Sequence, residues 1–292
     1  MSDLSNKDKS YNLQKHFTEQ FGNDGDKSEI AKTWYREDTV DAWRHNRMYR
    51  TLDPVLNCDE GASWLTVGDG RYGRDAKYIL EKNSDVIASD ITDVLLKEAQ
   101  DIGYIKKFSK ENAESLSFAD NTFDYVFCKE SYHHFPRPML ALYEMLRVAR
   151  KGIFLIEPND MYFMHDLVEP NLYLHNQKRA HRYEDSGNYL YTISRREIEK
   201  VALGMNYAAV AFSGLNDAYE KGVEYEKHSD NGPLLNKIRE KIEHLNGFSD
   251  KGVRHYDLLV AIIFKETPSE RMSEELINHG FEIELLPKNP HL

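Results

Sequence analysis

Gly68, Gly70 and Gly73 stand at the end of a short apolar run, Trp64-Leu-Thr-Val67, and Asp90 follows twenty residues beyond Gly70. Those residue types at that spacing can hold a nucleoside. Glycine lacks a Cβ, so a glycine turn lets the backbone pass close to a ligand. The segment from Arg74 to Lys82 has helical character, and a helix start offers free N–H groups. Asp90 closes a second apolar run, Asp85-Val-Ile-Ala-Ser-Asp90, and an acid at the tip of a second strand is placed to accept from the hydroxyls of a ribose. The elements that position these residues are a strand, a tight turn and a helix leading to a second strand, a βαβ unit. The literal Gly68-x-Gly70-x-x-Gly73 also satisfies the dinucleotide fingerprint, so a nicotinamide cofactor competes at this point.

A second group of residues could move a proton. His133 and His134 follow the strand-like run Phe123 to Lys129, at the C-terminal edge of an open α/β sheet, where ligands bind. A neutral imidazole with an ordinary pKa near 6.5 suits a general base. Glu157 and Asp160, at the end of the next strand, are placed either to orient a histidine, to bind a polar substrate, or simply to cap the segment that follows. Tyr132 either shapes the site or belongs to the core. His165 is a substrate-cap candidate, against the plainer reading of a solvated loop histidine. Glu157, Asp160, Asp166 and the histidines are acceptable metal ligands in type, but no metal-ligand spacing connects them, so no metal is expected.

Four blocks in order decide between the cofactors: the glycine loop with Asp90; Glu111-Asn-Ala-Glu-Ser-Leu-Ser-Phe118; Phe123 to Phe135 with its His-His; and Arg150-Lys-Gly152 leading into Ile153-Phe-Leu-Ile-Glu-Pro158. This set resembles the class I S-adenosylmethionine-dependent methyltransferases, in particular the small-molecule, type-11-like group with an "HH" after strand four. The resemblance covers Trp64 to Pro158 well and Tyr189 to Lys265 loosely. It implies S-adenosyl-L-methionine as cofactor, with the Gly68 and Gly70 backbones beside its methionine part and Asp90 on the ribose. Asn112 and the Ala113 amide would read the adenine, the Lys129 backbone would approach the sulfonium, and Arg47 would reach the methionine carboxylate from an N-terminal lid. In related sugar methyltransferases the histidine pair helps deprotonate an acceptor hydroxyl, which assigns His133 or His134 as base. Two positions depart from the family pattern. Thr66 stands where an acid is usual, with Asp69 or a residue of the N-terminal helices as its substitute, and Asn112 replaces a second acid, although its side-chain oxygen can still accept a hydrogen bond.

The chain has 292 residues, 40% apolar and 12% aromatic, including 18 Tyr, enough to bury a substantial core. Its net charge of −11 argues against nucleic acid, which rewards a basic surface, and otherwise serves solubility. Cys58 and Cys128 form no CxxC pair and fit a reducing cytosol. The polar start, Met1 to Lys9, does not resemble a signal peptide, and the longest apolar run, Leu258 to Phe264, is far too short for a membrane span. A soluble, cytoplasmic protein with a small-molecule substrate is expected, and a homodimer is allowed.

The expected architecture is a Rossmann-like, doubly wound, mostly parallel seven-stranded sheet with a C-terminal antiparallel strand. A polar arm and helical lid would occupy 1–57, the methyltransferase domain 58–267 with a cap insertion at about 159–190, and a C-terminal extension 268–292. Ser28 reads as a helix cap in the lid, whose Trp34, Trp43 and Tyr49 either pack or cover the ligand. Ser194 with Glu197 three residues on reads as a capping box. The function expected is O-methylation of a sugar or related polar metabolite, with N- or C-methylation as alternatives. An NAD-dependent oxidoreductase and a non-catalytic cofactor-binding partner protein are the rivals from other classes.

Overall fold

The computed structural model describes residues 19, 26–82, 84–160 and 189–291. The apolar run at the glycine loop becomes β1 (Ser63–Val67), which gives way through Gly68 to Gly73 to α4 (Arg74–Glu81) and then β2 (Asp85–Asp90). Before them lie α1 (Asp26–Ala31), α2 (Val40–Tyr49) and α3 (Asp53–Cys58). The chain continues through α5 (Val94–Asp101), β3 (Phe108–Lys110), β4 (Phe123–Lys129), α6 (Pro138–Val148), β5 (Ala149–Pro158), α7 (Arg195–Gly204), β6 (Ala209–Leu215), α8 (Pro233–Ser249), β7 (Leu258–Phe264), α9 (Glu270–Asn278) and β8 (Glu282–Leu285).

The sheet runs in the order β3-β2-β1-β4-β5-β7-β6-β8. β1 pairs in parallel with β2 and β4, and β4 with β5, whereas β7 lies antiparallel between β5 and β6. The central strands are buried along their length, Phe123–Lys129 and Leu258–Phe264 throughout, as strands with helices on both faces must be. One feature exceeds the seven-stranded expectation. The tail adds β8 to the edge, antiparallel to β6 with Ala209 opposite Leu285. Ser194 and Glu197 form the capping box of α7. Ser28 lies inside α1, which begins at Asp26; α2 is capped by Thr39, whose side chain accepts from the Ala42 N–H.

The segment between β6 and β7 matters for the site because it holds α2 in place. Val40 and Asp41 donate their backbone N–H groups to the Glu226 and Val223 carbonyls at 2.8 and 3.0 Å. Val40 also packs with Ala218, Val223, Leu235, Ile238 and Ile242 in a small separate core that Trp43 covers. Beneath it, Arg44 is buried between Asp41, at 3.0 Å, and Asp217. α2 is therefore clamped across the C-terminal edge of the sheet. No helix of the described residues is long and apolar enough to cross a membrane.

Candidate active site

A groove opens at the carboxyl ends of β1, β2 and β4. Gly68, Asp90, Asn112, Ala113 and His134 line it together, although they come from four separate stretches of chain. The reason for glycine at the loop is visible in what a Cβ would strike. At Gly70 it would lie 2.8 Å from the Asp90 carboxylate, and at Gly68, whose φ is +78, it would run into Ser131, 2.7 Å from Oγ. The glycines thus let the loop close onto Asp90 and the turn after β4, a requirement of packing as much as of ligand approach. Ser131 reinforces it by donating its hydroxyl to the Gly68 carbonyl at 2.7 Å.

Asp90 faces this groove with its carboxylate held by the Thr92 N–H at 3.0 Å. Burial raises its pKa to about 6, against hydrogen bonds from Thr92, Gly70 and Ile91 that pull the other way. Asn112 turns its side-chain oxygen to the Glu114 N–H at 3.0 Å, so an adenine amino group would have to share that oxygen. The loop carrying Asn112 and Ala113 is fixed by two acids that the sequence did not single out. Glu111 accepts from Ser109, Ser117 and the Ser117 N–H, and Glu114 accepts from the Arg137 backbone and guanidinium. Their signal was the Glu111-Asn-Ala-Glu114 spacing itself.

Two cofactor-side expectations are corrected, those for Asp69 and Arg47. Asp69 does not face the groove: its carboxylate accepts from Thr66 Oγ1 at 2.8 Å and from the Asp75 and Ala76 N–H groups at 3.1 and 2.9 Å. It caps the start of α4, and burial, then the charge of Asp75, push its pKa well up. Arg47 is directed to the end of β6, donating to the Asn216 carbonyl at 3.0 Å, because the clamp on α2 sets its direction. Lys129 buries its side chain beneath α2, with Nζ 3.1 Å from His45 Nδ1 and 3.5 Å from Asp75. Burial and then the nearby Lys129 charge lower the His45 pKa well below normal, so its imidazole is neutral and accepts from the ammonium. Tyr49, stacked at 5.1 Å on Tyr78, donates to Asp75 at 2.7 Å beside this cluster.

The two histidines part company. Both sit in a 3-10 turn, Tyr132–His134, with ring centroids 4.0 Å apart. His134 lines the groove, whereas His133 turns under the edge of the sheet onto Glu157. Glu157 is 0% exposed. One of its oxygens accepts from the Ser131 and Tyr132 N–H groups at 2.9 and 3.0 Å, and the other lies 2.7 Å from His133 Nδ1. A carboxylate there assigns the imidazole proton to Nδ1 and leaves Nε2 as the acceptor. Burial, then the Glu157 charge, also push the neighbouring Cys128 thiol up, keeping it neutral.

Of the two readings of Tyr132, the structure takes the core one. It is fully buried, edge-on to Phe135 and Tyr191, with its hydroxyl 3.6 Å from the Met139 sulfur. Asp160 lies past β5, its backbone N–H donating to the Ile193 carbonyl at 3.0 Å, and is not part of the groove lining. His165 and Asp166 lie outside the described residues. Among the described residues, no group of three or more His, Cys, Asp or Glu converges as a metal ion would require.

Residues 65–156 match the methyltransferase-domain family model. No curated protein matches the chain in sequence. Solved structures similar in fold include YcgJ of Bacillus subtilis (19% identity, covering 75% of this chain and 99% of that one, TM-score 0.49). An S-adenosylmethionine-dependent methyltransferase of Methanosarcina mazei gives 17%, 74%, 98% and 0.48. Magnesium protoporphyrin IX methyltransferase of Synechocystis PCC 6803, with its bound cofactor, gives 13%, 76%, 80% and 0.44.

Proposed function

We infer that the chain, a class I S-adenosylmethionine-dependent methyltransferase by its domain at residues 65–156, methylates an oxygen of a small polar acceptor, a sugar or a related metabolite, with His133 as general base. The observation that carries this reading is the buried Glu157 carboxylate 2.7 Å from His133 Nδ1, at the end of the strand beside the groove. The domain match favours a methyl donor over NAD at the glycine fingerprint.

When bound, S-adenosylmethionine supplies an activated methyl group. The residues of the groove fit it: Asp90 offers acceptor oxygens for ribose hydroxyls, Asn112 and Ala113 stand at the adenine end, and the Gly68 loop provides close backbone approach. Since the methyl group arrives already activated, the protein's task is to align the acceptor and to accept its proton. His133 takes that proton at Nε2, and Glu157 stabilises the imidazolium that results. His134, on the groove wall, packs beside the cofactor end and is not the base in this reading.

An amine acceptor would make less demand on a base, so nitrogen methylation would leave His133→Ala nearly active. We also place the protein in the cytoplasm, where the unpaired Cys58 and Cys128 suit a reducing medium, with the helices between residues 26 and 57 acting as a lid.

Calorimetric titration with S-adenosylmethionine, S-adenosylhomocysteine and NAD tests the cofactor. Turnover on a panel of methyl glycosides, inositols and amines, followed as S-adenosylhomocysteine release, then tests the acceptor. Turnover of hydroxyl acceptors that falls about 10²-fold or more in His133→Ala supports the reading, and activity confined to amines overturns it.

A further inference from the structure

The turn from Ser131 to Arg137 borders the groove and is tied down at both ends. At one end the Ser131 hydroxyl donates to the Gly68 carbonyl at 2.7 Å. At the other, Arg137, the residue before α6, meets Glu114 on the loop after β3, 23 positions earlier in the chain. The Arg137 backbone N–H donates to Glu114 Oε1 and its Nε–H to Oε2, both at 2.7 Å, so each carboxylate oxygen has a donor. The Glu114 side chain is 2% exposed and that of Arg137 44%. A buried carboxylate needs such a partner, and a two-point, charge-assisted grip fixes direction as well as distance. Between the two ties His134, Phe135 and Pro136 line the groove, and so do Asn112, Ala113 and Glu114 itself.

The mechanism above leaves this pair unused. We propose that Glu114 and Arg137 are positioning residues for base recognition: by fixing the Asn112–Ala113 segment they let the groove tell adenine from a purine with a carbonyl in place of the amino group. The Glu111 side chain bonds within its own loop, to Ser109 and Ser117, and the Glu114 N–H to Asn112 Oδ1 bond at 3.0 Å moves with that loop. The Glu114 carboxylate instead reaches out of the loop to the turn that carries His134, Phe135 and Pro136, and so sets the distance between the two groups of lining residues. Adenine offers a ring-nitrogen acceptor beside its amino donor, whereas hypoxanthine offers an N–H beside a carbonyl. An amide N–H such as that of Ala113 pairs with the first base and opposes the second. A site rejects the wrong partner strongly only when its own donors are held in place. The inference rests on the placement of Asn112 and Ala113 at the adenine end in the preceding section.

The test titrates the full chain with S-adenosylhomocysteine and with S-inosylhomocysteine, which differ only in that group of the base. Wild type, Arg137→Ala, Arg137→Lys and Glu114→Gln are compared, with a melting curve for each. The Arg137 backbone N–H survives the first two changes, and Glu114→Gln keeps the shape of the buried side chain while turning one acceptor into a donor that opposes Arg137. The wild type is expected to bind the adenine compound about tenfold or more tighter. In Arg137→Ala and in Glu114→Gln the adenine compound should weaken about tenfold and the inosine compound by about twofold at most, so that the ratio collapses. Arg137→Lys should recover part of it. A loss of stability alone would weaken both compounds alike and leave the ratio at its wild-type value, and that result in both Arg137→Ala and Glu114→Gln overturns this inference alone. A wild type that binds the two compounds equally overturns the placement of Asn112 and Ala113 at the base and this inference with it.

Discussion

Glu157 and His133 lie 2.7 Å apart, carboxylate oxygen to Nδ1, with the glutamate fully buried and its other oxygen bonded to two backbone N–H groups of the turn that carries the histidine. The same carboxylate therefore shapes the turn and sets the tautomer. Glu157→Gln should lower kcat by about 10²-fold or more while leaving the affinity for S-adenosylhomocysteine nearly unchanged, since Glu157 does not line the groove. Single-turnover kinetics beside a calorimetric titration would separate the two effects. A parallel loss of cofactor affinity would show instead that Glu157 only holds the fold of the turn.

Gly70 has an ordinary backbone conformation, so its need for glycine is purely one of space. Gly70→Ala would put a methyl group 2.8 Å from the Asp90 carboxylate and force it aside. Cofactor affinity should fall about tenfold or more, with little change in melting temperature. Gly68→Ala should differ. It adds backbone strain to the clash with Ser131, so the double variant Gly68→Ala, Ser131→Gly should recover only part of the lost stability.

Asp90 gives cofactor binding a pH dependence whose sign can be worked out. Burial raises its folded-state pKa to about 6, above the ordinary carboxylate value of about 3.9. The fold thus prefers the acid form, and its contribution to the stability of the free protein weakens as pH rises from about 4 toward 6. Ribose hydroxyls favour the carboxylate, so affinity should strengthen as pH rises through about 6. Binding at pH 5 should be about tenfold weaker than at pH 7.5. Titrations of the wild type and Asp90→Asn check this, and the variant should be weak and flat with pH across that range.

Arg44 is buried between Asp41 and Asp217, a partner 173 positions away in the chain. Removing the guanidinium leaves Asp217 with only Arg47, 3.8 Å away, and Asp41 with only Arg74, so Arg44→Met should destabilise the protein by about 3–5 kcal/mol. Urea unfolding midpoints measure the loss, and adding Asp217→Asn should return part of it. If Arg44→Met unfolds at the wild-type midpoint, α2 is not clamped as described.

How much of this was legible beforehand divides along the range of the interactions. The strand–glycine–helix unit, Asp90 at the tip of β2, the order of the blocks and the Ser194–Glu197 capping box are written in neighbouring residues, where apolar period, turn chemistry and capping act within a few positions. The placement of side chains after β4 is not. Tyr132, His133 and His134 are adjacent, yet one joins the core, one turns to Glu157 and one lines the groove, because a 3-10 turn points successive side chains about a third of a revolution apart and Glu157 arrives from the next strand. Asp69 read as a groove residue until α4 supplied two N–H groups for it to cap. Arg47 read as a ligand for the cofactor until the segment between β6 and β7 drew α2 toward Asn216. The strand, glycine turn and helix that would hold the cofactor are local, and neighbouring residues specify them. Which histidine meets Glu157 and which faces the groove follows instead from packing between residues far apart in the chain.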